Sequence, residues 1–255
     1  MADFLKFPPR HGNIVPAGRL YARMRGKTCP NPDAIAFMTP PDDVVVDFVG
    51  GALGYRHRHG GGKGQALHKA VGFGKGPPPL VADATAGLGR DAFLLAAEGA
   101  RVILIERAPA VQALLADGLA RAAAAGPEYA AISARMTLIR GDARAVLPAL
   151  PERPDVVLVD PMHPPRGNSA LVKKDMRLLR ELVGADPDAA ELMAAALATA
   201  VKRVVLKWPL RADFLPGLPK PSHQILGKST RYDVFMIHHE TEAGGIGRIE
   251  PHSQG

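Results

Sequence analysis

Apolar residues in this chain come in short runs at near-regular intervals. Runs with strand character lie at 80–85, 101–105, 136–140, 155–159 and 203–207, rich in Val, Ile and Leu as strands covered on both faces are. Between them the period lengthens to that of a helix: residues 109–124 put Val111, Leu114, Leu115 and Leu119 on one face. A second helix is predicted over 187–200, with Asp186 as its N-cap and Pro187 at the first helical position. Strands alternating with helices over this length predict an α/β fold built on a parallel sheet with both faces covered. The last part differs, because HQILGKS and YDVFMIHHE are adjacent strand patterns joined by a short turn, so the sheet is expected to end in an antiparallel hairpin. Upstream, Val44–Val49 reads as a short strand and Gln65–Val71 as a helix, with a basic glycine loop at 60–64. The Gly/Pro punctuation GFGKGPPPL at 72–80 ends one unit and starts another. The expected division is therefore an N-terminal extension over 1–76, a main domain over 77–240 and a polar, glycine-rich, disordered tail over 241–255.

At 255 residues the chain can bury a core without covalent staples. Its single cysteine, Cys29, cannot pair within the chain and has no neighbouring base to activate it, which fits a reduced cytoplasmic setting and argues against a thiol nucleophile. The opening MADFLKFPPRHG lacks the apolar core of a signal peptide, and no uncharged run reaches the roughly 18 residues a membrane span requires. A soluble cytoplasmic protein is expected. The formal net charge of +7 changes the picture through its distribution. Residues 50–75 hold Arg56, Arg58, Lys63, Lys69 and Lys75 with no Asp or Glu, and a second cluster, Arg166, Lys173, Lys174, Arg177 and Arg180, is interrupted only by Asp175. Concentrated patches favour a nucleic-acid partner over a diffusely solvated surface.

The stretch VADATAGLGRDAF at 81–93 reads as a strand, a glycine turn and a helix. Gly87-Leu88-Gly89-Arg90-Asp91-Ala92 satisfies G-x-G-x-x-A, with Glu106 following 19 residues after Gly87, as in a dinucleotide site. The acids at the strand ends point elsewhere. Asp83 closes the first strand of the main domain, Glu106 the second, Asp142 follows the third and Asp160 closes the fourth. In a doubly wound sheet these ends meet at the ligand crevice. Four carboxylates form an anionic cup, which repels a pyrophosphate and suits a cationic ligand such as S-adenosylmethionine, whose ribose hydroxyls need an acceptor such as Glu106.

With Asp160 reached, DPMHPPRGNSALVKKDMRLLRELVG at 160–184, together with DATAGLGRDAF, RHGGGKGQALHKAVG and ALLADGLARA, resembles the ribosomal RNA small-subunit methyltransferase J family. The likeness runs from about Val44 to Ile237. It implies a Rossmann-like class I methyltransferase fold, a mostly parallel seven-stranded sheet with an antiparallel C-terminal hairpin and a small N-terminal α+β extension that contacts RNA. It also implies S-adenosylmethionine as methyl donor and the exocyclic N2 of a guanosine in 16S ribosomal RNA as acceptor. Carried over position by position, it implies cofactor contacts at Arg90 and Asp91, at Glu106 and Arg107, at Asp142 and Ala143, and at Asp160. These join Asp83, Gly87 and Gly89 of the glycine turn. The chain departs from the family at His163, where an aromatic residue is usual, and at Trp208, where an arginine is.

The guanine N2 amine is a poor nucleophile because its lone pair is delocalised into the ring. Asp160 and the Pro161 carbonyl could accept its hydrogen bonds and align it from a rigid turn. His163 is the candidate to cover the face of the unstacked base. The helix predicted over 169–183 turns Lys173, Lys174 and Arg177 outward; with Arg166 on one side and Arg56, Arg58 and Lys63 of the glycine-rich loop on the other, these are the candidates to hold RNA phosphates. No metal ligand set is apparent, and a monomer acting on 16S ribosomal RNA or the small ribosomal subunit, away from membranes, is expected. Two other readings stay open: a nicotinamide-dependent oxidoreductase using the glycine turn, and a non-enzymatic RNA-binding assembly factor.

Overall fold

The computed structural model describes residues 13–16, 35–39, 42–50, 53–54, 65–74, 76–162 and 188–238. Its centre is a sheet of seven strands: β4 (Leu80–Asp83), β5 (Arg101–Glu106), β6 (Met136–Arg140), β7 (Val156–Val159), β8 (Arg203–Pro209), β9 (His223–Leu226) and β10 (Thr230–Met236). Their spatial order is β6-β5-β4-β7-β8-β10-β9. The first five are mutually parallel, and β10 runs antiparallel to both β8 and β9. The order reverses between β4 and β7, so the crevice expected of such a sheet opens at the carboxyl ends of these two strands. A separate antiparallel sheet carries β1 (Asn13–Pro16), β2 (Ile35–Thr39) and β3 (Asp42–Val44).

Helices cover both faces, and the apolar pattern decides which residues they bury. Every residue of β4 and β7 is buried, as continuous apolar strands flanked on both sides must be. On one face α1 (Ala66–Val71), α2 (Arg90–Ala97), α3 (Pro109–Ala124) and α4 (Pro127–Ser133) enclose a cluster that includes Leu67, Phe93, Leu114, Leu115 and Leu104. On the other, α5 (Ala143–Val146) and α6 (Ala189–Thr199) enclose Leu147, Val157, Met193, Val204 and Leu206. The hairpin predicted at the end of the sheet is β9 and β10, and α3 spans the residues its apolar periodicity marked.

Three boundaries differ from expectation, two of them through local side-chain hydrogen bonds. The strand expected over Val44–Val49 ends as a ladder at Val44, although Val46 and Phe48 still alternate into the core. Past them the Asp47 carboxylate accepts the Val49 and Gly50 amides at 3.0 and 2.8 Å, replacing strand pairing with a turn. The strand expected over 80–85 stops at Asp83, where the Thr85 amide folds back to the Asp83 carboxylate at 3.2 Å. The helix expected over 187–200 starts at Ala189 behind Asp188, whose carboxylate serves two arginines instead of the helix amides; Asp186 and Pro187 lie outside the described residues, as do the glycine loop at 60–64, the helix predicted over 169–183 and the tail. Val46 and Phe48 join Val81, Leu104 and Leu115 in one cluster, so residues upstream of the Gly/Pro punctuation help to build the main core.

Gly118 shows how tight that seam is. A Cβ there would press into the Val46 side chain and lie 3.1 Å from the Val46 carbonyl oxygen, while the Arg121 guanidinium donates to the same carbonyl. Gly118→Ala is therefore expected to destabilise the protein by about 1–3 kcal/mol despite alanine's better helix propensity; a urea melt in which this variant matches or exceeds the wild type would show that the seam gives way freely.

Candidate active site

Three of the four strand-end acids, Glu106, Asp142 and Asp160, line one cleft, while Asp83 is buried and is not part of that lining; cations come with them. The cleft lies at the carboxyl edge of β4, β5, β6 and β7, lined among others by Thr85, Gly87, Glu106, Asp142, Asp160 and Leu192. Arg107 and Arg144 stand in the same wall, and the Lys207 ammonium bridges Asp91 and Asp160 at 2.7 Å each. The cup is thus a mosaic of paired charges, because carboxylates gathered in partly desolvated space need countercharges to remain ionised.

Glu106 is organised by the glycine turn. Its Oε2 accepts the Gly87 amide at 2.9 Å and its Oε1 the Ala108 amide at 2.8 Å. Burial pushes its carboxyl above the ordinary value, and the backbone donors oppose that rise. The Gly87 N–H is thereby committed to a carboxylate from the next strand, in the position where a dinucleotide site offers its amide to a pyrophosphate. Gly89 answers to packing: at φ 69° a Cβ would sit 2.8 Å from Leu115 and 3.1 Å from Phe48. Arg90 opens α2 directly behind it.

Lys207 is the hub of the other half. It projects from β8 beside β7 and is cross-strand partner to Tyr232 on β10. Burial opposes its charge, yet Asp160 and Asp91 together hold the ammonium above its ordinary value. Asp83 lies in the same field; burial, then the charge of Asp91, push its carboxyl up to about 8. Tyr232 is raised to about 12 by burial and Asp91. Asp160 is fixed from a second direction, since its backbone amide donates to the Thr85 hydroxyl at 2.7 Å. At the far rim Asp142 caps α5 through the Arg144 amide at 2.9 Å and pairs with the Arg144 side chain at 2.7 Å, which holds its carboxyl below the usual range. Arg144 and Arg107 both reach Asp188 at the start of α6, at 3.2 and 2.8 Å.

The structure brings Asp83, Gly87, Asp91, Glu106, Arg107, Asp142, Ala143, Asp160 and Pro161 to one edge of the sheet. Gly89 and Arg90 sit behind that edge, against the core and at the helix start. His163, Arg56, Arg58, Lys63, Arg166, Lys173, Lys174 and Arg177 lie outside the described residues. Sequence reasoning missed Lys207, Thr85, Arg144 and Asp188. For Lys207 there was a signal, a cation set between the apolar residues Leu206 and Trp208 of RVVLKWP, which a buried strand tolerates only with a partner. The donor set fits S-adenosylmethionine: Ile105, Ala143 and Leu192 provide apolar lining for a flat base, Glu106 an acceptor beside it, and Asp160 a negative charge toward the β7 end.

Comparison with known proteins agrees with this geometry. Residues 37–237 match the SAM_MT family, described as "Putative SAM-dependent methyltransferase". The chain is 66% identical over 196 residues to the ribosomal RNA small subunit methyltransferase J of Agrobacterium fabrum, covering 77% of this chain and 93% of that protein. It is also 66% identical over 194 residues to the protein of that name from Brucella anthropi, covering 76% and 94%. A crystal structure of a SAM-dependent methyltransferase from Neisseria gonorrhoeae superposes with a TM-score of 0.65 at 34% identity, covering 93% of this chain and 96% of that one.

Removing the hub has a pH signature. A carboxyl whose folded pKa is raised contributes full stability below its unfolded value, here 3.8, and loses it as pH climbs through the folded value near 8. Lys207 lowers the Asp83 value, so Lys207→Met is expected to push it higher and to leave Asp91 and Asp160 uncompensated. The expected loss is roughly 2–3 kcal/mol near pH 8, discounted for the partial exposure of Lys207, and less near pH 5. Urea denaturation at the two pH values measures it, and a gap that stays constant or narrows with rising pH would contradict this electrostatic role.

Proposed function

The chain belongs to the ribosomal RNA small subunit methyltransferase J family, and from that premise we propose that it transfers a methyl group from S-adenosylmethionine to the exocyclic N2 amine of a guanosine in 16S ribosomal RNA, as a cytoplasmic monomer. The observation that carries the reading is the fixation of Asp160. Its backbone is tied to Thr85 and its side chain to Lys207, at the junction between the cofactor-side cleft and the rest of the strand edge.

When bound, the cofactor supplies a methyl group on a positively charged sulfur, which leaves readily. The protein's own residues do the remaining work. Glu106 is held by two backbone amides as an acceptor for hydroxyls, and Arg107, Asp142 and Ala143 line the same wall. Asp160, with the adjoining Pro161 carbonyl, accepts hydrogen bonds from the amine and orients its nitrogen. Holding two reacting groups in line in this way removes several kcal/mol from a barrier. The Lys207 ammonium donates to the Asp160 carboxylate and holds it in place. The amine's surplus proton passes to solvent, so no strongly basic residue is required. His163 is proposed to cover the target base, and Arg56, Arg58, Lys63, Arg166, Lys173, Lys174 and Arg177 to hold phosphates of the RNA or the small subunit.

Two measurements test this. Asp160→Ala is expected to lower methyl transfer from labelled S-adenosylmethionine to small-subunit RNA by about a hundredfold or more while leaving the fold intact, with mass spectrometry locating the product as N2-methylguanosine; near-normal turnover would remove Asp160 from the mechanism. Replacing Lys173 and Lys174 together by Ala is expected to weaken RNA binding and to reduce the slope of log affinity against log salt by about 0.7–0.9 per lost phosphate contact. An unchanged slope would return these lysines to an ordinary solvated surface.

A further inference from the structure

The cleft takes its lining from the ends of β4, β5, β6 and β7 and from the starts of α5 and α6, and no described residue of β8 or β10 contributes to it. On the proposed function, on which this inference rests, an RNA chain presenting a guanosine to Asp160 must therefore lie across the other half of the same edge. There β8 ends at Pro209, one strand over from β7, and the chain enters the turn at 210–214.

That turn is braced from several sides. The buried Trp208 indole N–H donates to the Asp213 carbonyl at 2.8 Å. Arg231, its cross-strand partner on β10, is also buried. Its Nη1 donates to the carbonyl oxygens of Ala212, Leu210 and Pro209 at 2.6, 3.3 and 3.4 Å, and its Nε is held by Asp233 at 3.0 Å. The Ala212 amide closes the turn on Pro209 at 3.0 Å, and the Leu210 amide ties it to Ser229 at 3.1 Å. On this base stands Phe214, 60% exposed, with the Arg231 guanidinium carbon 4.7 Å from the ring centroid. One face of the ring thus rests on a fixed cation while most of the side chain meets solvent. An apolar ring in water is normally left to move or is covered; here the backbone beneath it is pinned by two buried side chains. The exposed charges of residues 210–230 are Arg211, Lys220 and Lys228 against Asp213, a balance that suits a polyanion.

We propose that Phe214 is a stacking platform for an unpaired base of the RNA substrate beside the target guanosine. Every base offers a π face, so the contact is tolerant of sequence, and the cation beneath the ring strengthens a ring sandwiched between it and a base. The flanking Arg211, Lys220 and Lys228 hold the backbone on either side. In this role Trp208 and Arg231 are positioning residues acting through the turn.

The test compares Phe214→Ala, Phe214→Leu and Phe214→Trp in the full-length protein. Binding to unmodified 16S ribosomal RNA transcript is measured by filter retention, cofactor affinity by calorimetry and folding by thermal midpoint. Ala and Leu are expected to weaken RNA binding about tenfold or more while Trp retains it, with cofactor affinity unchanged in all three. Leu keeps the apolar bulk, so its failure together with the success of Trp marks stacking. RNA binding by Phe214→Ala as tight as that of the wild type, in a wild type that methylates this RNA, would overturn the platform alone. A wild type that neither binds nor methylates the RNA, whether as free transcript or within the small ribosomal subunit, would overturn the proposed function and the platform together.

Discussion

A carboxylate at the packed edge of a sheet has lost part of its hydration, and Asp91 and Asp160 share such a place through a common countercharge. Lys207 supplies it. From β8 it reaches Asp160 at the end of β7 and Asp91 in the first turn of α2, and its field also moderates Asp83 at the end of β4. Three elements that approach one another only after the sheet has formed are thus joined by one ammonium. The edge can then stay negative enough to receive a cationic methyl donor and ordered enough to hold an amine.

The glycine turn is the second half of the same arrangement. In a nucleotide site of the diphosphate type its amides and helix dipole would meet phosphate. Here the turn gives its Gly87 amide to Glu106, and the next helix begins with an acid that belongs to Lys207. The motif is therefore a means of presenting carboxylates, and its letters do not distinguish the two uses. The partners of its amide and its acid do.

On the proposed function, catalysis and RNA contact divide along the strand edge. The half formed by β4, β5 and β6 is concave and partly apolar, suited to a small cofactor, whereas the half beyond Asp160 carries a braced turn with an exposed ring. Asp160 stands at the boundary. On that reading one sheet edge holds both reactants, and Trp208 and Arg231 pin the main chain of the second half.

The alternation of strands and helices, the parallel sheet, the closing hairpin and the strand-end acids were legible from the chain, because hydrophobic period and position along a strand are local properties. The extents of the edges were less so, since Asp47, Asp83 and Asp188 spend their carboxylates on nearby amides or on distant arginines, and competition of that kind has no periodic signature. Pairings remote in sequence were decided by tertiary structure alone: Lys207 lies 116 residues from Asp91, and Arg144 lies 47 from Glu191. A list of acids at strand ends describes an anionic cup; only the folded sheet, which brings lysine and arginine to the same rim, turns that cup into a set of paired charges. The reason is that residue type specifies which charges exist, whereas burial and proximity, which decide whether a charge is stable, are properties of the packed molecule.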